Sequence, residues 1–313
     1  MKNLSVSVTV FLLTILVAGC GTLPDGKPFA DATGTWAASV KTSGRALSDS
    51  LRDAGSVELK DKKLYEENVK AFEKAWSVRV NAAQGVVAYS YAIVDLIAAS
   101  KESSETIKKA GDALSGLAAA VNIPLAAPVV GVAGDLARFV LDRIAIVRAS
   151  KRLEEALAQA QPAVDRITEH LVIEADEQLK PTLKNAYDNM ISSIKSQYDA
   201  DNDFAEQFSK KQTELRTAML SDPTKIAQLQ EFDKVQMTVS ARLKERDQKI
   251  DQASAAYKAR LQMVNALSTA TVAWASAHHD LASAIKEKRK VNTAELQETI
   301  TDLRELIKKV RAL

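Results

Sequence analysis

The sequence predicts an all-α protein: an elongated antiparallel helical bundle with long, coiled-coil-like helices. Three observations carry that expectation. All eleven glycines lie at or before Gly134. From Thr224 to Leu313 there is neither Gly nor Pro, whereas strand proteins need turn residues at short spacing. Leu243, Ile250, Tyr257, Val264, Thr271, His278 and Ile285 recur every seven residues, and Ala253, Leu267, Trp274 and Leu281 fill the second seam position. That is a coiled-coil pattern with polar lapses.

The chain begins with a different signal. Lys2 is the one charge before Val6–Val17, an uncharged run of about twelve residues. A bilayer span needs roughly 20, so the order is that of a signal peptide. Leu16, Val17, Ala18 and Gly19 then lead into Cys20, the single cysteine. This stretch resembles the lipobox of bacterial lipoprotein precursors. The resemblance covers residues 1–21. It implies cleavage between Gly19 and Cys20 and a diacylglycerol thioether on Cys20. Gly21 follows the cysteine where Asp would imply retention at the inner membrane. The resemblance therefore implies an outer-membrane anchor facing the periplasm. Two or three acyl chains on one residue exceed the marginal hold of a single chain, at about 0.8 kcal/mol per buried methylene.

The chain thus reads as a signal peptide over 1–19, a lipidated flexible tether over 20–35 and a helical bundle over 36–313. The tether is rich in Gly, Pro, Asp and Thr up to Gly34. A short helix is expected from about Trp36 to Asp53, interrupted by Gly55. Leu59 to Ala110 reads as a long helix, with Leu64, Val69, Phe72, Trp76 and Val80 at helical spacing. Beyond Gly85 it is apolar on most faces, which places it in a core or against a membrane.

Residues 113–134 carry no charge and reach the length of a membrane span. Pro124 and Pro128 stand in the middle, and Pro inside a helix costs about 3 kcal/mol. Two short apolar arms joined by a proline turn, at about 111–135, fit better than a straight span. Leu125, Val129, Val130 and Val132 are the candidate membrane or partner contacts of this hairpin. A hairpin buried in the bundle is the plainer alternative.

Asp135 to Gln161 returns to an amphipathic helix. Pro162 suits the first turn of the next, running towards Tyr198 with a bend or break at Pro181. Asp199–Asp203 reads as a turn and Phe204–Leu220 as a helix. Asp222 and Pro223 fit the N-cap and first position of a helix reaching about Arg289. That helix would be roughly 100 Å long if unbroken; a fold-back near Asp247 is left open. Asn292 with Glu295 suggests a capping box. It opens the last heptad run, Leu296, Ile300, Leu303, Ile307 and Val310.

Little of this points to chemistry. Removing residues 1–19 removes Lys2 alone among the charged residues and leaves the chain near neutral. No basic excess argues for nucleic acid. With Cys20 lipidated, no thiolate remains. His170 and Glu174 share a helix face, but Arg166 one turn earlier would repel a metal ion, and i,i+4 surface pairs account for the three. His278 falls on the apolar seam and His279 off it. Asp199, Asp201 and Asp203 start a calcium-loop pattern that Phe204 and Lys210 break. No phosphate loop and no nucleophile elbow follow the signal.

No catalytic residue, metal or cofactor is therefore assigned beyond the lipid on Cys20. The expected function is non-enzymatic: a lipid-anchored scaffold or interaction protein of the cell envelope. It would hold the membrane through its lipid and a protein partner through its helical surface, with homo-oligomerisation left open. One alternative is a membrane-active protein using residues 113–134, similar in plan to the α-helical pore-forming toxins of the cytolysin A type. The other is an enzyme with an unrecognised site.

Overall fold

A computed structural model describes residues 24–54, 62–98 and 152–312, with a few single positions between 108 and 146. Among them there is no strand, and the helices pack as an all-α bundle. They are α1 (Lys27–Ala54), α2 (Lys62–Ala98), α3 (Leu153–Glu174), α4 (Lys180–Gln197), α5 (Asp199–Met219), α6 (Lys225–Glu287) and α7 (Ala294–Arg311). A π-helical turn, Ala175–Leu179, joins α3 to α4. The chain divides into two compact units. The first comprises Met1–Lys41, Ala75–Ile173 and Ala266–Arg304; the second comprises Thr42–Lys74, Glu174–Asn265 and Glu305–Leu313.

The helix expected from about Trp36 starts earlier: α1 begins at Lys27, inside the stretch expected to be a tether. Asp25 Oδ1 accepts the Lys27 N–H at 2.9 Å and so caps the helix start. Phe29, Ala30 and Thr33 are fully buried, and that burial outweighs the poor helix propensity of Gly34. Gly26, just before the helix, marks a close approach. A Cβ there would lie 2.6 Å from Ile97 Cδ1 on α2.

Three further boundaries depart from expectation. Pro162 lies inside α3 instead of opening a helix. Its missing N–H leaves one carbonyl without a helical bond, but Ala160, Ala163 and Val164 around it are buried, and their packing keeps the helix whole. The break expected at Pro181 takes the form of the π turn just before it. Lys180 N–H there reaches back to Ala175 O, and the wider turn relieves the clash a proline makes with the preceding turn. Asp199–Asp203 is no turn but the start of α5. The kink is one residue earlier, at Tyr198, whose φ of −116° and ψ of 10° leave the helical region.

α6 runs for 63 residues through Asp247 without folding back. Its seam is real: Val264, Thr271, His278 and Ile285 are buried, as are Ala253, Leu267, Trp274 and Leu281. Leu243, Ile250 and Tyr257 are half-buried. The helix ends in a Schellman arrangement built without glycine. Lys288 takes φ 55°, and Arg289 N–H bonds Ala284 O at 3.0 Å. Asp280 then braces the turn, accepting from Arg289 Nη2 at 2.5 Å and from Asn292 N at 2.6 Å. The Arg289 guanidinium holds the Asp280 carboxyl below its usual range. Asn292 Oδ1 caps Ala294 N at 3.1 Å, and Leu296, Ile300, Leu303, Ile307 and Val310 of α7 are buried as the heptad run predicts.

In the second unit, Tyr187 of α4 stacks on Tyr257 of α6 at 4.6 Å. Ile194, Tyr198 and Ala253 form a small core there with Leu243 and Ile250. Asp201 pairs with Arg242 at 3.0 Å, and Lys249 Nζ donates to Tyr198 Oη at 3.0 Å. Asp201, within the acidic run, thus ties α5 to α6.

Candidate functional site

In the first unit several polar side chains meet inside apolar packing. His278 on α6 is completely buried. Its Nδ1 lies 2.6 Å from Gln161 Oε1 on α3, and its Nε2 lies 2.8 Å from the Tyr89 hydroxyl on α2. Tyr89 also stacks on the imidazole at 5.6 Å, while Phe29 meets it edge-on at 6.1 Å. Each helix therefore brings one member, and the sequence separations are 189 and 117 residues.

The proton positions follow from the surroundings of Gln161. Its Nε2 donates to Asp165 Oδ1 at 2.6 Å and to Ala275 O at 3.3 Å. Turning the amide over would face an oxygen to two acceptors, so Oε1 is the atom that meets His278. Oε1 can only accept, hence His278 Nδ1 carries the proton and Nε2 accepts from Tyr89. Every polar atom of the imidazole is satisfied in the neutral form. Burial pushes the His278 pKa down to about 3 and raises that of Tyr89. Neither group is poised to exchange a proton near neutral pH, and neither faces solvent. The arrangement joins α2, α3 and α6.

Beside it, α3 and α6 leave a shallow groove of about 630 Å³. Val172, Ile173, Val272 and Ala275 form its apolar part, and Asp165, Glu169 and His279 its polar edge. Ile173 is 43 % exposed and Val272 51 %. Ser276 and His279 also line it. The groove offers apolar area for contact.

Gly19, Cys20, Leu125, Val129, Val130 and Val132 lie outside the described residues. His170 is half-buried on α3. Glu174 is 7 % exposed, and Arg166 pairs with Glu169 at 2.6 Å. Among the described residues, no group of three His, Cys, Asp or Glu side chains is placed to hold a metal ion. Within α2, Val69–Ala98 is long and apolar enough to cross a membrane by length and composition. Its Trp76, Ala83, Val86, Tyr89 and Ile93 are buried within the first unit. The His278 network was only half visible beforehand. The seven-residue repeat put His278 on the seam, but nothing local marks Tyr89 or Gln161 as its partners. Compared with family models, with curated proteins and with solved structures, the chain matches none.

Proposed function

We propose that the protein is a lipid-anchored component of a bacterial cell envelope that acts as a scaffold or interaction protein, without catalysis of its own. The observation that carries this reading is Leu16-Val17-Ala18-Gly19-Cys20 behind a short apolar run, with Cys20 the sole cysteine. A lipid on Cys20 would leave residues 21–26 before α1, at most about 25 Å of extended chain. The helices, not a long tether, would then set what the protein presents. The closed hydrogen bonding of His278 supports a structural use for the most prominent polar cluster. The apolar groove of α3 and α6 supports a contact role.

The test is the full chain with Cys20→Ala, expressed in a bacterium beside the wild type. The wild type is expected to take up labelled fatty acid and to enter the detergent phase on cloud-point separation. The variant is expected to do neither. Equal partition of both forms into detergent would overturn the anchor. The membrane-active reading rests on residues 113–134, which carry no charge and reach the length of a membrane span. It predicts that the Cys20→Ala protein, freed of its signal peptide, floats with liposomes; the anchored reading predicts that it stays behind.

A further inference from the structure

We infer that two buried polar residues of α6, Thr271 and His278, select the heptad register in which this helix packs against α1, α2 and α3. The seam alone is poorly selective. Its residues repeat every seven positions, so a shift of α6 by one heptad replaces seam residues with other seam residues, and Trp274 with Leu267 or Leu281. Such a shift moves the helix by about 10 Å and still buries apolar surface.

The polar lapses remove that freedom. Thr271 donates its hydroxyl to Leu267 O at 2.8 Å. Its oxygen then accepts the Trp36 Nε1–H of α1 at 3.3 Å. One heptad on, His278 takes up Tyr89 of α2 and Gln161 of α3. The three partners sit on three different helices, so one helix face sets all three registers together. Moving α6 one heptad in one direction brings Ile285 to the place of His278 and strands Tyr89 and Gln161. Moving it the other way brings Val264 to the place of Thr271 and strands Trp36. It also sets Thr271 between Tyr89 and Gln161, where one short hydroxyl cannot bridge both. A buried group left without its bond opposes each slip. Fixing register with a buried polar residue is the best-attested use of such groups.

The three tryptophans report on this directly. Trp36, Trp76 and Trp274 are all buried in the first unit, and Trp36 stacks on Trp274 at 5.8 Å beside the two polar residues. The full chain in mild detergent, labelled with 15N-tryptophan, should give three indole N–H resonances. In Thr271→Val/His278→Leu, helicity by circular dichroism should persist while the indole resonances multiply beyond three or broaden away. His278→Gln, which keeps a donor and an acceptor, should hold three. Three sharp resonances in the double variant would overturn the inference. So would multiplied resonances in His278→Gln, since hydrogen bonding would then not be what selects. A double variant that fails to fold overturns it too, because the apolar seam is required to hold the helices together in more than one register.

Discussion

The two parts of α6 differ more from each other than from other helices. From Lys225 to Gln252 no residue is buried; from Ala253 onwards Met263, Leu267, Trp274, His278, Leu281 and Ile285 all are. The first turns of α6 meet α5 along a narrow seam, before Leu243 and Ile250 reach the small core shared with α4. Phe208 stacks on Phe232 at 4.8 Å, and Gln212 Nε2 reaches Asp233 at 3.0 Å and Gln236 at 3.3 Å. Leu220, in the turn between them, is 85 % exposed. The late part carries apolar residues on more than one stripe because Ala270, Ala273, Ala277 and Ala284 are buried beside the seam. One unbroken helix is therefore pair-packed at one end and enclosed at the other. Helicity alone does not decide stability; the number of covered faces does.

The largest effect should separate the two parts outright. Leu281→Ala empties a fully buried position and should lower unfolding free energy by about 2–5 kcal/mol. Val239→Ala, half-buried in the early part, should cost less than about 1 kcal/mol. Urea titrations of both variants check this, and equal costs would break the comparison.

The late part should also carry a pH dependence. His278 is depressed to about 3 when folded and titrates near 6.5 when unfolded. Above pH 6.5 both states hold it neutral and it contributes no slope. Below that, the unfolded state takes a proton that the folded state refuses. Stability then falls by about 1.4 kcal/mol per pH unit, roughly 2 kcal/mol between pH 6.5 and 5. The groups facing it are Tyr89, the amide of Gln161 held by Asp165, and the neighbouring His279, whose charge further disfavours protonation. His278→Gln should remove that share of the slope. Parallel stability curves for wild type and variant from pH 7 to 5 would contradict it.

Smaller gains sharpen the account of how the helices end and pass through glycine. Lys288→Gly should stabilise by about 1 kcal/mol, since the left-handed φ of 55° strains any side chain. Gly34→Ala should add about 0.5–1 kcal/mol, because a Cβ there meets nothing within 4 Å. A lower melting temperature in either would contradict the geometry. Smallest of all, Glu231→Gln removes a pair whose Lys234 and Glu231 side chains are both 71 % exposed. Its effect should stay within about 0.5 kcal/mol.

These differences also show what was legible in the sequence. The helical class and the seam of α6 were, because a seven-residue repeat is local and needs no knowledge of the partner. Lys27–Gly34 was not, because its Gly and Pro content resembles a linker while Phe29 and Thr33 pack inside. Pro162 was not, because local rules forbid what the burial of its neighbours permits. His278 was legible as a seam residue, but its hydrogen-bond partners were not, since they come from α2 and α3.

Hydrogen exchange along α6 tests the central contrast most directly. Amides of Leu267–Leu281 should be protected about 100-fold or more beyond those of Gln228–Val239, because local opening of the pair-packed part exposes little apolar surface. Protection uniform within tenfold over the whole helix would contradict the account.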